Sequence, residues 1–302
     1  MEEQKKSFIR LFILADWENP YLTMNYKAEA TILKEFSKFF FDGSLYRGSK
    51  PVMWSPVEKT ALAEAEIEYK NILSKSIYVS FKILESQCKE LIGTSVVIWT
   101  TTPWTIPGNQ ALAYGENITY VLTEISSTEV NININKKLIL SKALLKNVAS
   151  FCNIKNINIL KEFKGSVLQG TVAQHPLYNK GYDQKTPLFK GDFVDDNEGT
   201  GFVHIAPSYG EDDFHLAKLN NLNIKDVVHD NGVYKENTPV FAGVHVFKAD
   251  DIVIDALKEE NSLVGIRDYK HSYPHSWRSK KPVIYRTTPQ WFISMDKNKL
   301  RE

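Results

Sequence analysis

The chain has 302 residues, 43% of them hydrophobic and 24% charged, a balance typical of a globular protein with one large domain or two ordinary ones. Its 37 lysines and arginines nearly cancel its 36 aspartates and glutamates, so any nucleic-acid contact needs a local basic patch. The two cysteines, Cys88 and Cys152, indicate neither a disulfide framework nor a metal site. The apolar run at 8–14 is too short to span a membrane. We therefore predict a soluble, cytoplasmic protein with no membrane partner.

The first part of the chain is predicted to consist of helices and loops. Residues 25–41 carry apolar side chains at helical spacing, with Asn25 as a capping residue and Gly43 beyond the end. A second helical run is predicted at 60–66, where strong helix formers predominate. We assign residues 1–68 to a helical and loop arm that leads from a domain outside this chain.

The middle of the chain, residues 69–268, has the pattern of a sheet. Short runs rich in β-branched residues alternate with Gly, Asn and Pro, and strands are predicted at 76–84, 95–101, 119–125, 137–140, 167–173 and 191–194. Helices near 141–150, 211–220 and 249–259 are expected to pack outside the sheet. The predicted fold class is α+β, with a β-barrel-like domain of short strands, peripheral helices and flanking arms. Two Asn/Ile/Lys-rich stretches, 131–137 and 153–161, are interpreted as surface hairpin sequence of biased composition.

The last part, residues 269–302, is predicted to be an arm that returns toward the same absent domain. Residues 269–281 are aromatic and basic, 283–288 has the pattern of a strand, and 296–302 is a charged helical start. We therefore expect the chain to be a piece of a longer protein.

The first chemical motif is Trp-Thr-Thr-Thr-Pro-Trp-Thr-Ile-Pro-Gly-Asn at 99–109. Strand alternation places Thr100 and Thr102 on one face and Thr101 on the other, and the following proline ends the strand ladder. Asn109 returns a carboxamide from the next turn. Three threonines alone are explained by a strand edge with self-satisfied hydroxyls, but the combination favours a ligand site.

The second motif spans residues 199–213. The Gly-x-Gly ending at Gly201 lets the backbone bend or approach a ligand closely. His204 lies on a short strand and is interpreted as a metal ligand, a general base or the wall of a pocket; nothing beside it has ligand spacing, so the metal interpretation is disfavoured.

A capping box at 208–211 predicts a helix start. Asp213 then lies near the helix dipole, which keeps it ionised, and suits an α-ammonium group; alternatively Asp212 and Asp213 are ordinary N-terminal helix acids. The sequence has no nucleophile elbow and no phosphate-binding loop.

Together the two motifs resemble the editing (connective-peptide) domain of isoleucyl-tRNA synthetase. Residues 16–21, 50–54 and 61–66 resemble the segment that leads out of that enzyme's catalytic domain, and 273–278 and 289–292 resemble the segment that leads back. The related valyl and leucyl enzymes have Thr-Thr-Arg-Pro at the first motif, so Thr102 and Trp104 favour the isoleucyl family.

The resemblance implies a post-transfer deacylase that hydrolyses the ester of valyl-tRNA(Ile). A missing methylene changes binding by only ~1–3 kcal/mol, for which isoleucine against valine is the standard example, so a second site removes the smaller amino acid. The expected partners are the 3′ acceptor end of tRNA(Ile), the mischarged valine and the remainder of the synthetase in cis. Alternatives are the valyl or leucyl version of the domain, a non-catalytic module that binds the acceptor end, and a small-molecule or metal-dependent hydrolase.

The resemblance also implies roles for individual residues. We expect Asp213 to bind the α-ammonium group, and Thr101 and Thr102 to orient the ester, the water or the terminal adenosine. His204 is expected to form the wall that meets the extra methyl of isoleucine, and Thr100 to shape the strand end. Asn109 is expected to steady the terminal nucleotide or the strand, Gly201 to contribute to substrate binding, and Trp104 to be a stacking platform or a core residue.

No cofactor and no metal are expected in this part of the enzyme. The adenylate-forming signatures of class I enzymes do not occur in the sequence, so ATP with magnesium is expected only in the full-length enzyme. A zinc site elsewhere in that enzyme is compatible with this sequence. Many relatives carry cysteines near the positions of Ser55 and Ser276, and the serines argue against a thiolate zinc site here.

Overall fold

The computed structural model describes residues 1–128 and 135–302, so most of the 131–137 stretch lies outside the described residues. The chain forms two compact units, one made of residues 1–49 and 289–302 and the other of residues 50–288. The domain boundaries expected at residues 68 and 268 stay predictions. Both chemical motifs lie in the unit of residues 50–288.

The smaller unit contains α1 (Glu2–Arg10) and α2 (Tyr26–Phe41). Helix α2 begins and ends as predicted: the Asn25 side chain accepts a hydrogen bond from the Lys27 amide at 2.8 Å, and Gly43 follows with φ +75°. No residue of α2 is buried within the described chain. Its apolar side chains therefore do not contribute to a core here.

The strands and remaining helices follow in chain order. They are β1 (Leu45–Ser55), β2 (Thr60–Ala61), β3 (Ile67–Glu85), β4 (Ser95–Thr100), β5 (Ala111–Tyr114), β6 (Thr119–Glu124), β7 (Lys137–Ser141), α3 (Leu145–Phe151), β8 (Asn158–Lys164), β9 (Val172–Gln174), β10 (Lys185–Lys190), β11 (Phe202–Ile205), α4 (Glu211–Leu219), α5 (Asp250–Glu259), β12 (Leu263–Ser276) and β13 (Ile284–Ile293).

These strands form two sheets. A three-stranded sheet has the order β13-β1-β2, and a ten-stranded sheet has the order β11-β5-β10-β9-β3-β4-β7-β6-β8, with β12 paired to β3. Strand β11 also lies beside β4, so this part of the large sheet curls back on itself in a barrel-like way. The fold class is α+β, and the helices expected near 141–150, 211–220 and 249–259 are confirmed as α3, α4 and α5.

A long two-stranded ribbon leads into and out of the large sheet. Strand β12 pairs antiparallel with β3 from Leu263↔Val79 to Ser276↔Ile67. The predicted strand at 76–84 is therefore only the end of a 19-residue strand. Residues 67–75 are half-buried or exposed, with no buried position, and their partner strand is about 200 residues away in the chain. No local pattern therefore predicts this pairing.

Several local predictions are wrong, beginning with the helix-and-loop opening of the chain, because residues 45–55 form strand β1. Residues 60–66 form β2 and a short 3-10 turn (Glu64–Glu66), because pairing of Ser55 with Thr60 outweighs helix propensity. The strand expected at 167–173 is confined to β9, after a 3-10 turn at Gly165–Leu168. Residues 191–194 are a turn, and the strand β10 precedes them. Residues 296–302, where a helical start was predicted, form only a 3-10 turn (Lys297–Lys299), in which Asn298 has φ +56°.

The core of the larger unit fills the inside of the curled sheet. Its fully buried side chains include Phe81, Ile98, Leu112, Tyr120 and Ile139. Strand β8, which begins inside the Asn/Ile/Lys-rich stretch at 153–161, lies at the sheet edge with Ile159 and Leu160 exposed. Within the described residues, no helix has both the length and the apolar character needed to cross a lipid bilayer.

Candidate active site

The threonine row lies where β4 ends. The Thr100 and Thr102 hydroxyls are 3.1 Å apart, and the Thr100 hydroxyl accepts a hydrogen bond from the Thr102 amide at 3.1 Å. The two side chains therefore share one side of the chain, as alternation predicts. Thr100 is buried and holds the turn that follows the strand.

Thr101 differs from its neighbours. Its side chain is half-buried, and within the described residues its hydroxyl has no hydrogen-bond partner. Of the three consecutive hydroxyls it is the one left available to a bound molecule.

His204 on β11 is joined to the loop after β4 by two hydrogen bonds. Its Nε2 lies 2.8 Å from the Thr105 hydroxyl, and its Nδ1 lies 3.1 Å from the Asn109 amide nitrogen. That nitrogen also donates to the carbonyls of Ala111 and Ile205, which fixes the orientation of the carboxamide. Nδ1 therefore accepts, Nε2 carries the proton, and Thr105 passes a hydrogen bond on to the Thr102 carbonyl at 2.8 Å.

The same surroundings decide what His204 can do. Burial lowers the pKa of His204 to about 4, so the imidazole is neutral at pH 7. Both ring nitrogens are already engaged by Thr105 and Asn109. A neutral ring without a free lone pair serves poorly as a general base or a metal ligand, and the geometry supports the wall interpretation.

Asp213 is connected to the same strand end. Its Oδ2 accepts a hydrogen bond from the Ala206 amide at 2.7 Å, two residues beyond His204. Helix α4 begins at Glu211 with Gly210 as a cap that has no side-chain bond, and the Ser208 hydroxyl instead donates to the Lys225 carbonyl at 3.0 Å. The predicted capping box is therefore wrong, and Asp213 reaches back to the chain in front of the helix.

Burial, rather than the helix dipole, dominates the titration of Asp213. Desolvation raises the pKa of its carboxyl to about 6, although the hydrogen bond from the Ala206 amide lowers it. The expectation that the dipole fixes the charge is thus corrected. At pH 7 the carboxyl is still mostly ionised, and in a partly desolvated site it attracts a cation strongly.

Trp104 and Gly201, two of the predicted site residues, serve the packing of the fold. Trp104 is 5% exposed, contacts the Tyr209 ring edge-to-face at 5.1 Å and donates its amide to Asp250 at 3.2 Å; it is a core residue. Gly201 has φ +78°, and a Cβ there would lie 2.7 Å from the Ser141 Cβ. Its carbonyl accepts from the Tyr120 hydroxyl, so Gly201 packs β11 against β7.

The structure brings together Thr100, Thr102, Asn109 and His204, and it adds two residues that the sequence interpretation missed. Thr105 links His204 to the threonine row, and the spacing of Thr102 and Thr105 was the available signal. Asp250, at the start of α5, holds the Trp104 amide and has no local motif. Five surface clefts of the described residues are lined by other side chains, and none of the predicted site residues borders them. Over residues 1–128 and 135–302, no three His, Cys, Asp or Glu side chains are grouped for metal binding.

The family model for tRNA synthetases class I (I, L, M and V) matches residues 1–302, and the chain belongs to this family. It is 48% identical over 302 residues to isoleucine–tRNA ligase of Pelagibacter ubique and 47% identical over 321 residues to that of Gluconobacter oxydans. Each alignment covers 100% of this chain and 33% of the relative, so the chain spans about one third of the relatives' length.

Two solved structures are similar to part of this chain. The cytosolic leucyl-tRNA synthetase editing domain of P. falciparum is 12% identical, with a TM-score of 0.49 over 66% of this chain and 100% of that one. GlLeuRS-CP1 is 14% identical, with a TM-score of 0.47 over 64% of this chain and 98% of that one.

Proposed function

We propose that this chain is the editing part of an isoleucine–tRNA ligase and that it hydrolyses the ester of valyl-tRNA(Ile). The observation that carries the proposal is the hydrogen-bonded group at the ends of β4 and β11, formed by the threonine row, Asn109 and His204, with Asp213 tethered to the same strand end. The high identity to isoleucine–tRNA ligases favours the isoleucyl version over the valyl and leucyl ones.

Asp213 is the anchor for the α-ammonium group of the mischarged amino acid. One carboxylate oxygen is held by the Ala206 amide, which fixes the side chain in the orientation that meets the ligand. Because the group is partly desolvated, its attraction for an ammonium ion is stronger than in water. This contact also orients the ester relative to the threonine row.

The threonine row positions the reacting groups. The free hydroxyl of Thr101 binds the water, the ester or the terminal adenosine, while Thr102, on the other side of the chain with Thr100, holds the end of the row in place. His204 lacks the pKa and the free lone pair of a general base, and Asp213 is occupied by the ammonium group. The rate therefore comes from positioning of the water and stabilisation of the developing oxyanion, helped by the ribose hydroxyl of the substrate.

His204 is the wall that excludes isoleucine. Its ring is held on both sides, by Thr105 and by Asn109, and a rigid wall resists displacement by one extra methyl. Asn109 acts here by steadying the imidazole and the strand.

The 3′ end of the tRNA approaches along β12. Trp99, next to the threonine row, contacts Tyr269 at 5.4 Å between ring centroids, and His271 and Tyr273 continue the aromatic row on the same face of the strand. Unpaired bases stack on such rows. The tRNA body is bound by the remainder of the synthetase in cis, in the cytoplasm. This hydrolysis uses no cofactor; ATP with magnesium, and any zinc, serve other parts of the enzyme.

The experiment compares Asp213→Ala with Asp212→Ala in deacylation of valyl-tRNA(Ile) by the full chain. Asp212 is exposed on the same helix turn, which makes it a matched control. We expect loss of hydrolysis with Asp213→Ala and near-normal hydrolysis with Asp212→Ala. Binding of the acceptor end without any hydrolysis by the unmodified chain would favour the non-catalytic module, and inhibition by a chelator would favour a metal-dependent hydrolase.

A further inference from the structure

Two turns at the base of the β3–β12 ribbon meet around one carboxylate. The first turn follows β1 and carries Ser55 and Glu58, and the second follows β12 and carries Ser276 and Ser279. Both Ser55 and Ser276 are fully buried. We call these four residues the carboxylate clasp.

The clasp is held by hydrogen bonds to Glu58. Its Oε1 accepts from the Ser276 hydroxyl at 2.8 Å and from the Ser279 amide at 3.0 Å. The Glu58 amide donates to the Ser55 hydroxyl at 3.3 Å. Burial raises the pKa of the Glu58 carboxyl, but the surrounding serine hydroxyls and the Ser279 amide outweigh burial and leave the pKa below its ordinary value.

The spacing of the clasp is that of a zinc site. Ser55 with Glu58, and Ser276 with Ser279, form two pairs three residues apart, which is the spacing of paired thiolate ligands in small zinc sites. The residues do not fit zinc, however. The group offers three hydroxyls and one carboxylate, with no thiolate or imidazole, and one carboxylate oxygen is already used by the opposite turn.

We propose that the Glu58 carboxylate replaces a metal ion as the link between the two turns, so that the clasp closes the ribbon without metal. The second oxygen, Oε2, is buried and has no hydrogen-bond partner among the described residues. The unpaired oxygen costs free energy in a buried position, so the cohesion of the two turns comes from the two bonds that Oε1 accepts across them. The clasp is therefore a structural link with the Glu58 carboxylate, an anion, at its centre. A zinc site has a metal cation at the corresponding place.

The first test uses the full chain as purified. Metal analysis is expected to find no stoichiometric zinc, and EDTA is expected to leave Tm unchanged. Glu58→Ala removes the acceptor of both cross-turn bonds and is expected to lower Tm by at least about 4 °C. Glu64→Ala, an exposed glutamate of the neighbouring turn, is the control and is expected to change Tm by less than about 1 °C.

The second test rebuilds the thiolate site. The variant with Ser55→Cys, Glu58→Cys, Ser276→Cys and Ser279→Cys is expected to bind one Co²⁺ with the visible absorption of a tetrahedral thiolate site, and to lose Tm when EDTA is added. Stoichiometric zinc in the unmodified chain, an EDTA-dependent Tm of that chain, or a Glu58→Ala variant as stable as Glu64→Ala would each overturn the proposal. Absence of Co²⁺ binding by the four-cysteine variant would show that the four positions do not converge on one centre, and would overturn it as well.

Discussion

The imidazole Nε2 of His204 and the hydroxyl of Thr105 are 2.8 Å apart although the residues are 99 positions apart in the chain. This bond joins β11 to the loop that follows β4. Since Asn109 from the same loop holds the other ring nitrogen, the ring cannot rotate without breaking two buried hydrogen bonds. The orientation of the proposed wall is thus set by a loop that carries the threonine row.

Thr105→Val is expected to lower the free energy of unfolding by about 1–3 kcal/mol, because the buried N–H of His204 loses its acceptor. Urea unfolding of the chain measures this value. Thr119→Val is the control, since among the described residues the Thr119 hydroxyl accepts from the exposed Lys164 alone, and its loss is expected to cost less than about 0.5 kcal/mol. Equal values for the two variants would contradict the proposed importance of the His204 bond.

Thr101→Val is expected to reduce the rate of valyl-tRNA hydrolysis at least about 10-fold without lowering stability, because its hydroxyl is free for the substrate or the water. Thr100→Val is expected to lower stability by about 1 kcal/mol, since its hydroxyl accepts the Thr102 amide. Single-turnover deacylation and urea unfolding separate the two effects. A Thr101→Val variant with normal hydrolysis would remove this hydroxyl from the mechanism.

His204→Ala is expected to allow hydrolysis of correctly charged isoleucyl-tRNA, because the cavity left by the ring accommodates the extra methyl group. The measurement is the ratio of deacylation rates for valyl-tRNA and isoleucyl-tRNA. His175→Ala is a control for removal of another buried imidazole, and it is expected to lower stability without changing this ratio. Continued protection of isoleucyl-tRNA by the His204→Ala variant would mean that another group sets the size limit.

Asp213 is expected to make stability depend on pH. Its pKa in the folded chain, about 6, lies above its ordinary value of 3.8, so its favourable contribution is complete below 3.8 and is lost as pH rises through 6. The unfolding free energy of the unmodified chain should therefore fall relative to that of Asp213→Asn by about 1–3 kcal/mol between pH 4 and pH 7. Asp212→Asn is the control, and a pH-independent difference for Asp213→Asn would contradict the raised pKa.

Gly201→Ala is expected to destabilise the chain by at least about 2 kcal/mol more than Gly93→Ala. Both glycines have positive φ, at +78° and +81°, so both variants strain the backbone to a similar extent. Only Gly201 has a neighbour in the way, the Ser141 Cβ at 2.7 Å, whereas nothing lies within 4 Å of a Cβ at Gly93. Similar losses at both positions would show that β7 yields to the added methyl group.

Local signals in the sequence predicted some elements and missed others. Helix α2 was predicted from the spacing of its apolar residues and from the Asn25 cap. The end of β4 at Thr100 was predicted from Pro103, which follows it in the chain. Pairing between distant segments was not predictable in this way: β10 was missed, and most of β3 was missed because its partner β12 lies far along the chain.

The sequence predicted which residues form the candidate site, but it predicted neither their contacts nor their protonation states. The motifs contain His204 and Asp213, but the protonated nitrogen of His204 depends on Thr105 and Asn109, and the raised pKa of Asp213 depends on its burial. Trp104 could not be assigned from the pattern, since a stacking platform and a core residue have the same apolar ring. Only its contacts with Tyr209 and Asp250 distinguish the two.

The ribbon of β3 and β12 has a consequence for how such a unit is carried by a larger protein. Ile67 and Ser276 face each other as a strand pair, so the chain departs and comes back at neighbouring points separated by two hundred residues of sequence. A host protein need not open its own fold to accommodate such an insertion. A tight hairpin turn joining these two positions would close the stem once the residues between them are removed.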